Sequence, residues 1–377
     1  MGGELLIAAL FFLLACVMSV FSAANLFIAA RETIQLTWLF AVFVMLSSVI
    51  PKYDLRATLI ALVLASGILT SMVGVYEYFW VREPVDMLVA STRLRSTGIY
   101  DQPNAYGSFL IGSIPLLAGI LVFDDLRKYL VGRWRAVWPQ VSMRPLLWII
   151  LALLAFTLAA TFSRGSWVGW GIGFTVLFFL GRSWFSSRRF FAVVATCLLS
   201  VSAVLVDVSF QPSVIDRSFS NTQRLKLLES SWKMFLDYPF TGVGNGNFSV
   251  LLPRYADEEL LESMQRDFDP VEKKFYRNPQ KQPDIEIVHN VLAQVTCETG
   301  IAGLLTFLAF WFFYFRKVMR TLNNLQSSTD RFLVIAALAS VAAMLGAALF
   351  GWPFTHGVQE LLVLQMALTM TSAEPKA

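Results

Sequence analysis

The chain has 377 residues, 56% of them hydrophobic and only 15% charged, with 32 Phe and 11 Trp; ordinary soluble domains carry roughly 25% charged residues. A water-soluble fold of this composition would expose more hydrocarbon than a folded surface tolerates, which excludes a cytosolic enzyme, a nucleic-acid-binding protein and a disordered scaffold. The formal charge of +4 therefore reports membrane topology before it reports any partner.

Spanning the hydrocarbon takes about 20 mostly apolar residues. Such runs predict helices near 5–30, 34–50, 57–80, 104–123, 145–162, 165–181, 190–208, 290–315, 331–350 and 357–372. The expected fold is an all-α polytopic transmembrane bundle of about ten spans. Residues 1–208 would form a first bundle of about seven helices, 209–289 one long loop, and 290–377 about three more helices. Met1-Gly2-Gly3-Glu4 lacks the basic stretch of a secretory signal, and the apolar run behind it is too long for one, so the first span is expected to be retained. Cys16, Cys197 and Cys297 lie in or beside apolar runs without metal-ligand spacing. They read as small membrane residues rather than disulfide partners.

Basic residues in short loops resist translocation. Alternate connections hold Lys52 and Arg56; Arg127, Lys128, Arg133, Arg135 and Arg144; Arg182, Arg188 and Arg189; and Arg316, Lys317, Arg320 and Arg331. These mark the cytoplasmic side, with both termini there, and put the segment near 82–95 and the long loop outside. Within the loop, Leu225, Leu228, Trp232 and Phe235 recur at helical spacing and predict an amphipathic helix from Thr222 to Tyr238, stopped by Pro239. Its apolar stripe would lie on the membrane surface or cover the bundle. The glycine-rich stretch Thr241–Phe248 follows, then a charged segment with repeated prolines up to Pro283.

Charge at the edge of a bilayer is costly and calls for a reason. Arg164 sits in a very short external turn, Thr161-Phe162-Ser163-Arg164-Gly165. It either snorkels to the headgroups or binds an anion, with Gly165 leaving room for close approach. Arg224 is expected in the first turn of the loop helix, where the macrodipole is already positive; a phosphate bound there would suit both, although a surface helix tolerates such an arginine. His289 opens the return to the membrane, and Asn290, Gln294 and Glu298 follow at i, i+4 and i+8, a polar stripe expected to face the interior. A capping histidine with a polar packing seam is the alternative. Arg93 and Arg95 precede a turn at Gln102-Pro103-Asn104. His356 stands four residues before Glu360 as a simple helical pair. Asp267 and Asp269 have a spacing that can hold a divalent cation, but they lie in an acidic, solvated stretch. Nothing has zinc-ligand or phosphate-loop spacing, so the expected metal and cofactor set is none.

Several of these residues form one ordered pattern: Arg95-x-x-Gly98 with Pro103-Asn104-x-x-Gly107, Ser163-Arg164-Gly165, Arg224, Gly242-Val-Gly-x-Gly-Asn-Phe248, and His289-Asn290 with Glu298-x-Gly300-x-x-Gly303. In that order the segment from about 93 to 303 resembles the O-antigen ligase and polymerase superfamily of bacterial membrane glycosyltransferases. The resemblance implies transfer of a glycan from undecaprenyl diphosphate to an acceptor hydroxyl at the periplasmic face of the inner membrane, without nucleotide sugar or metal. In the ligases the acceptor is the lipid A core; in the polymerases it is another lipid-linked glycan. A glycosyl diphosphate already carries a competent leaving group, so the protein must neutralise charge developing on it and position the acceptor oxygen. Guanidinium groups suit the first task, and imidazole is the side chain that exchanges a proton near neutrality. Arg164 and Arg224, with Arg95 as a third candidate, are thus expected to hold the diphosphate and His289 to act as general base, with Asn290, Gln294 and Glu298 supporting it or touching sugar. A lipid-linked glycan transporter would also need arginines, but transporters hold such charge near the bilayer midplane between repeated halves, whereas these residues sit at outer membrane boundaries beside one asymmetric loop.

Overall fold

The computed structural model describes residues 3–81, 88–90, 93–135, 143–210, 218–264, 266–269, 274–277, 287–351 and 357–370. In chain order the described elements are α1 (Gly3–Val20), α2 (Leu26–Lys52), α3 (Arg56–Trp80), β1 (Leu88–Ala90), β2 (Arg93–Leu94), α4 (Pro103–Val122), α5 (Asp124–Arg135), α6 (Met143–Ala160), α7 (Arg164–Gly181), α8 (Ser187–Ser209), α9 (Ser218–Asp237), α10 (Phe248–Tyr255), α11 (Glu258–Met264), β3 (Arg266–Asp269), β4 (Lys274–Arg277), α12 (Val291–Asn324), α13 (Ser328–Ala348) and α14 (Val358–Thr369). The strands form only two short antiparallel ribbons, β1–β2 and β3–β4. This is the all-α polytopic bundle that the apolar runs predict. Among the described residues eight helices, α1, α2, α3, α4, α6, α8, α12 and α13, are long and apolar enough to cross a bilayer. The 18-residue α7, diluted by Arg164 and its glycines, and the 12-residue α14 occupy the other two expected positions.

The first connection departs from expectation. The sequence suggests a boundary at Arg31–Thr33, but those residues lie inside α2, and the chain turns at Phe21–Asn25 instead. The reason is a cap: Asn25 Oδ1 accepts the Ile28 amide at 3.2 Å and starts α2 there.

The centre of the bundle is α4, buried at every position but Asn104, with α13 packed beside it. Against α13 lies α7, which presents Gly165, Gly169 and Gly173, four residues apart, to Phe350, Ala343 and Ala339. Small residues at this spacing let two backbones approach, which is how helices associate where lipid removes the hydrophobic drive. A side chain at Gly169 would strike the Ala343 carbonyl.

The two ends of the bundle differ. At one, short basic connections form ion pairs: Asp54 takes Arg133 and, at 2.7 Å, the Tyr129 hydroxyl, Arg56 meets Asp330, and Asp124 meets Arg127 and Arg189. The other end carries a cap built from α9, α10 and α11. The cap has a small core of its own, in which Leu227, Met234, Phe248, Leu252 and Val288 close over Cys297 of α12. Lys226 of α9 donates to Asp257 at 2.9 Å and also to Glu259, tying α9 to the start of α11; the first bond holds the Asp257 carboxyl below the usual carboxylate range.

Candidate active site

The turn that carries Arg164 is held from three sides. Phe162 takes a left-handed backbone, φ 51°, and the Ser163 amide donates to Thr161 Oγ1 at 3.1 Å. Arg95 Nε donates to the Thr161 carbonyl at 2.9 Å while its Nη2 reaches Asn104 Oδ1 at 3.4 Å. The Ser96 amide donates to the Ala160 carbonyl at 3.0 Å. Gly107 completes the packing, because a side chain there would meet Ser163 and Ser166. The Pro103-Asn104-x-x-Gly107 stretch is therefore a platform for the turn, and Arg95 is bonded to the turn's backbone. Arg164 is the first residue of α7.

Arg93 is equally engaged. It donates through Nε and Nη2 to the Asp207 carboxylate at 2.5 and 3.0 Å, with its guanidinium over the Tyr78 and Phe79 rings, and it ties the segment before α4 to the end of α8.

Arg224 is in the second turn of α9, not the first, because the helix extends back to Ser218 through residues with no breaker. The expected pairing of Arg224 with a helix start does not hold. Instead its Nη1 donates to the Phe350 carbonyl at 3.2 Å, just beyond α13. The stripe of Leu225, Leu228 and Trp232 is exposed, while Leu227 and Met234 turn inward. The stripe lines a cleft against Leu292, Thr296 and Ile301 of α12.

His289 is the second strained residue of the site, with φ 57°. Left-handed backbone in a non-glycine residue costs of order 1–3 kcal/mol and persists only where its surroundings enforce it. Two neighbours do so. Val288 donates its amide to Gln294 Oε1 at 2.8 Å, and Asn290 caps α12 by accepting the Ala293 amide at 3.0 Å. Asn290 Nδ2 also donates to the Leu349 carbonyl at 3.0 Å. Behind them Gln294 and Glu298 are buried; Glu298 Oε1 accepts from Gln294 Nε2 at 2.6 Å and from the Phe248 amide at 3.2 Å.

Below Glu298 the helix α12 breaks at Gly300, φ 66°, ψ −168°. The glycine-rich stretch after α9 fills the break. Val243 and Gly244 donate to the Cys297 and Glu298 carbonyls at 2.9 and 3.0 Å, and Ile301 donates to Pro239 at 2.8 Å. A side chain at Gly242 would strike the Glu298 backbone, and one at Gly300 the Phe240 carbonyl. The same stretch grips the α1–α2 turn: Ser22 Oγ donates to the Gly242 carbonyl at 2.8 Å and the Asn25 amide to Asn247 Oδ1 at 2.7 Å. Its glycines are a structural lock joining the cap, α12 and the first hairpin.

The end of α13 and the starts of α7, α12 and α9 thus converge. Gly165 packs on Phe350, Arg224 bonds Phe350, and Asn290 bonds Leu349, so Arg164, Arg224 and His289 border one place. The partner carbonyls of Leu349 and Phe350 carry no sequence signal. His356 lies outside the described residues, as do the side chains of Asp267 and Asp269, whose backbones pair with Tyr276 and Lys274. Glu360 accepts from Gln359 Nε2 at 3.3 Å. Among the described residues no three His, Cys, Asp or Glu side chains gather where they could hold a metal ion.

These elements define a multi-pass helical membrane protein with guanidinium and imidazole groups collected at one end of the bundle. Residues 149–308, from within α6 into α12, match the family model for O-antigen ligase. That segment includes Arg164, Arg224 and His289, and the match supports the resemblance to the O-antigen ligase and polymerase superfamily of membrane glycosyltransferases. No curated protein matches the chain significantly.

Proposed function

We propose that the protein is an O-antigen ligase, transferring a glycan from undecaprenyl diphosphate to a hydroxyl of the lipid A core at the periplasmic face of the inner membrane, without metal or cofactor. The observation that supports this reading is the convergence of the Arg164 turn, Arg224 and the His289–Asn290 corner on the end of α13. The ion-paired end, rich in short basic connections, is then cytoplasmic, and both termini lie on that side.

In the reaction the acceptor oxygen attacks the anomeric carbon of the donor sugar. The new carbon–oxygen bond forms as the bond to the diphosphate breaks, and the diphosphate keeps the bonding pair on its undecaprenyl carrier. Arg164 and Arg224 meet that developing charge. His289 takes the proton of the attacking hydroxyl. Asn290, Gln294 and Glu298 fix the imidazole's place, and Arg95, bonded to the Thr161 carbonyl, holds Arg164 in position rather than touching the diphosphate itself. Charge at the bundle end, not the midplane, favours transfer over transport.

Deleting the gene and resolving the surface polysaccharide on a gel tests the assignment. Polymer retained but no longer attached to lipid A core is the expected result; single repeat units on the core would make the protein a polymerase instead. In reconstituted membranes, Arg164→Ala or His289→Ala transferring at the wild-type rate would remove the residue roles.

A further inference from the structure

A different face of α12 from the one turned to α9 borders a second space. A cavity of about 350 Å³ lies between α1, α2, α12 and α14, within the size range of small-molecule sites. Glu32, Gln35, Asn245, Glu298 and Gln359 line it together, and most of the remaining wall is apolar, reaching Phe43 on α2. From Glu32 to Phe43 it runs roughly 16 Å along that helix at the α-helical rise.

The polar lining holds an unfilled hydrogen-bond role. Gln359 is 7% exposed, and its Oε1 is buried without a partner. Its Nε2 faces the Glu360 carboxylate at 3.3 Å, which fixes the amide with its oxygen as the orphan, since the reverse would set oxygen against oxygen. A buried acceptor left unpaired is costly and calls for a donor. Among the described residues no Lys, Arg or His lines the cavity. Glu32 already has its counterion in Arg31 at 2.6 Å, so the polar side repels a diphosphate and needs no cation. What the Gln359 oxygen lacks is a neutral donor.

We propose that this cavity binds a lipid with a hydroxyl-rich sugar head. Sugar hydroxyls donate to Gln359 Oε1 and the Glu32 carboxylate, and the tail follows α2 past Phe40 to Phe43. Taken with the function proposed above, on which this part rests, the lipid is the glycan acceptor. It reaches α12 by one face, while the donor diphosphate is held at the end of α13.

The test uses the full chain in nanodiscs and two photoreactive probes with the same diazirine-bearing dodecyl tail, one with a maltose head and one with phosphocholine. The maltoside should label α2, α12 and α14 saturably and at least about fivefold more than the phosphocholine. Gln359→Leu should cut that labelling about fivefold, the effect of one neutral hydrogen bond, and Ala9→Phe, which fills the cavity from α1, should abolish it. Glu32→Leu, with its side chain one-third exposed, gives the same readout if Gln359→Leu does not fold. Equal labelling by both probes, or labelling indifferent to these substitutions, would make the cavity a seat for bulk lipid and overturn the proposal. In the transfer assay the maltoside should raise the acceptor KM and leave kcat unchanged; competition with the donor instead would overturn the acceptor role. A protein with no transfer activity would defeat the proposed function, while the labelling would still decide the cavity.

Discussion

Asn290 offers the most direct test of how the site is built, because one side chain does two separable jobs. Its Oδ1 caps α12, and its Nδ2 anchors the helix start to the Leu349 carbonyl. Losing an asparagine cap costs about 1 kcal/mol, and losing a neutral hydrogen bond about 1 kcal/mol more. Asn290→Ala should therefore destabilise the protein by about 2 kcal/mol. Asn290→Asp keeps a capping oxygen and should cost about half as much. The catalytic effect should be separable from the stability effect. His289 is next in the chain, held at φ 57° against a strain of the same order as the two lost bonds, so the corner relaxes once its anchor is gone. The transfer rate in proteoliposomes should fall about tenfold or more in Asn290→Ala, equivalent to about 1.4 kcal/mol of barrier, with little change in donor KM. Thermal unfolding of the purified protein supplies the stability figure. If Asn290→Ala unfolded and turned over like the wild type, the enforced corner would not be what positions the imidazole.

Three further outcomes follow from the packing. Gly300→Ala combines a left-handed φ with a clash on the Phe240 carbonyl and should cost at least about 2 kcal/mol, read as a lower unfolding temperature with the cap more open to protease. Gly169→Leu should separate α7 from α13 and abolish a folded peak in gel filtration, whereas Gly171→Leu, whose position is open, should leave it intact. Asp124 is held below the usual carboxylate range chiefly by its hydrogen bond with Arg189. A depressed carboxyl stabilises the fold fully above its unfolded pKa and loses that contribution as pH falls through the folded value. Melting temperature should thus drop below about pH 4, and Asp124→Asn should flatten that slope while lowering stability near neutrality.

The bundle was legible because it rests on local signals: a run of about 20 apolar residues needs no partner to be recognised. The first boundary was not legible, since Arg31–Glu32 resembles a loop and Asn25 resembles an interior residue. Asn25 becomes a cap in a setting completed by Asn247, 222 residues away. The site divides in the same way. Arg164 and His289 announce themselves as charge or imidazole at span ends, and Arg224 as charge in the loop helix between them. Their meeting point at Leu349 and Phe350 is made of main-chain carbonyls, which carry no residue signature. Gly165, Gly169 and Gly173 are legible as a small-residue stripe by their spacing of four, but the helix they meet, α13, begins some 155 residues further along the chain. The Gly242–Gly246 loop lacks phosphate-loop spacing, and its role is visible only with the broken helix that it fills.

That loop also sets a timetable for synthesis. The first hairpin is gripped by a segment made some 220 residues later, and α1 packs along α12, later still. At about 5–20 residues per second this is a delay of roughly 10–45 s, during which α1 and α2 sit in the membrane without their final neighbours. The α1–α2 hairpin is thus made long before its partners and is among the last parts to be seated, and a chain stalled before α12 would leave it exposed to whatever removes unassembled helices.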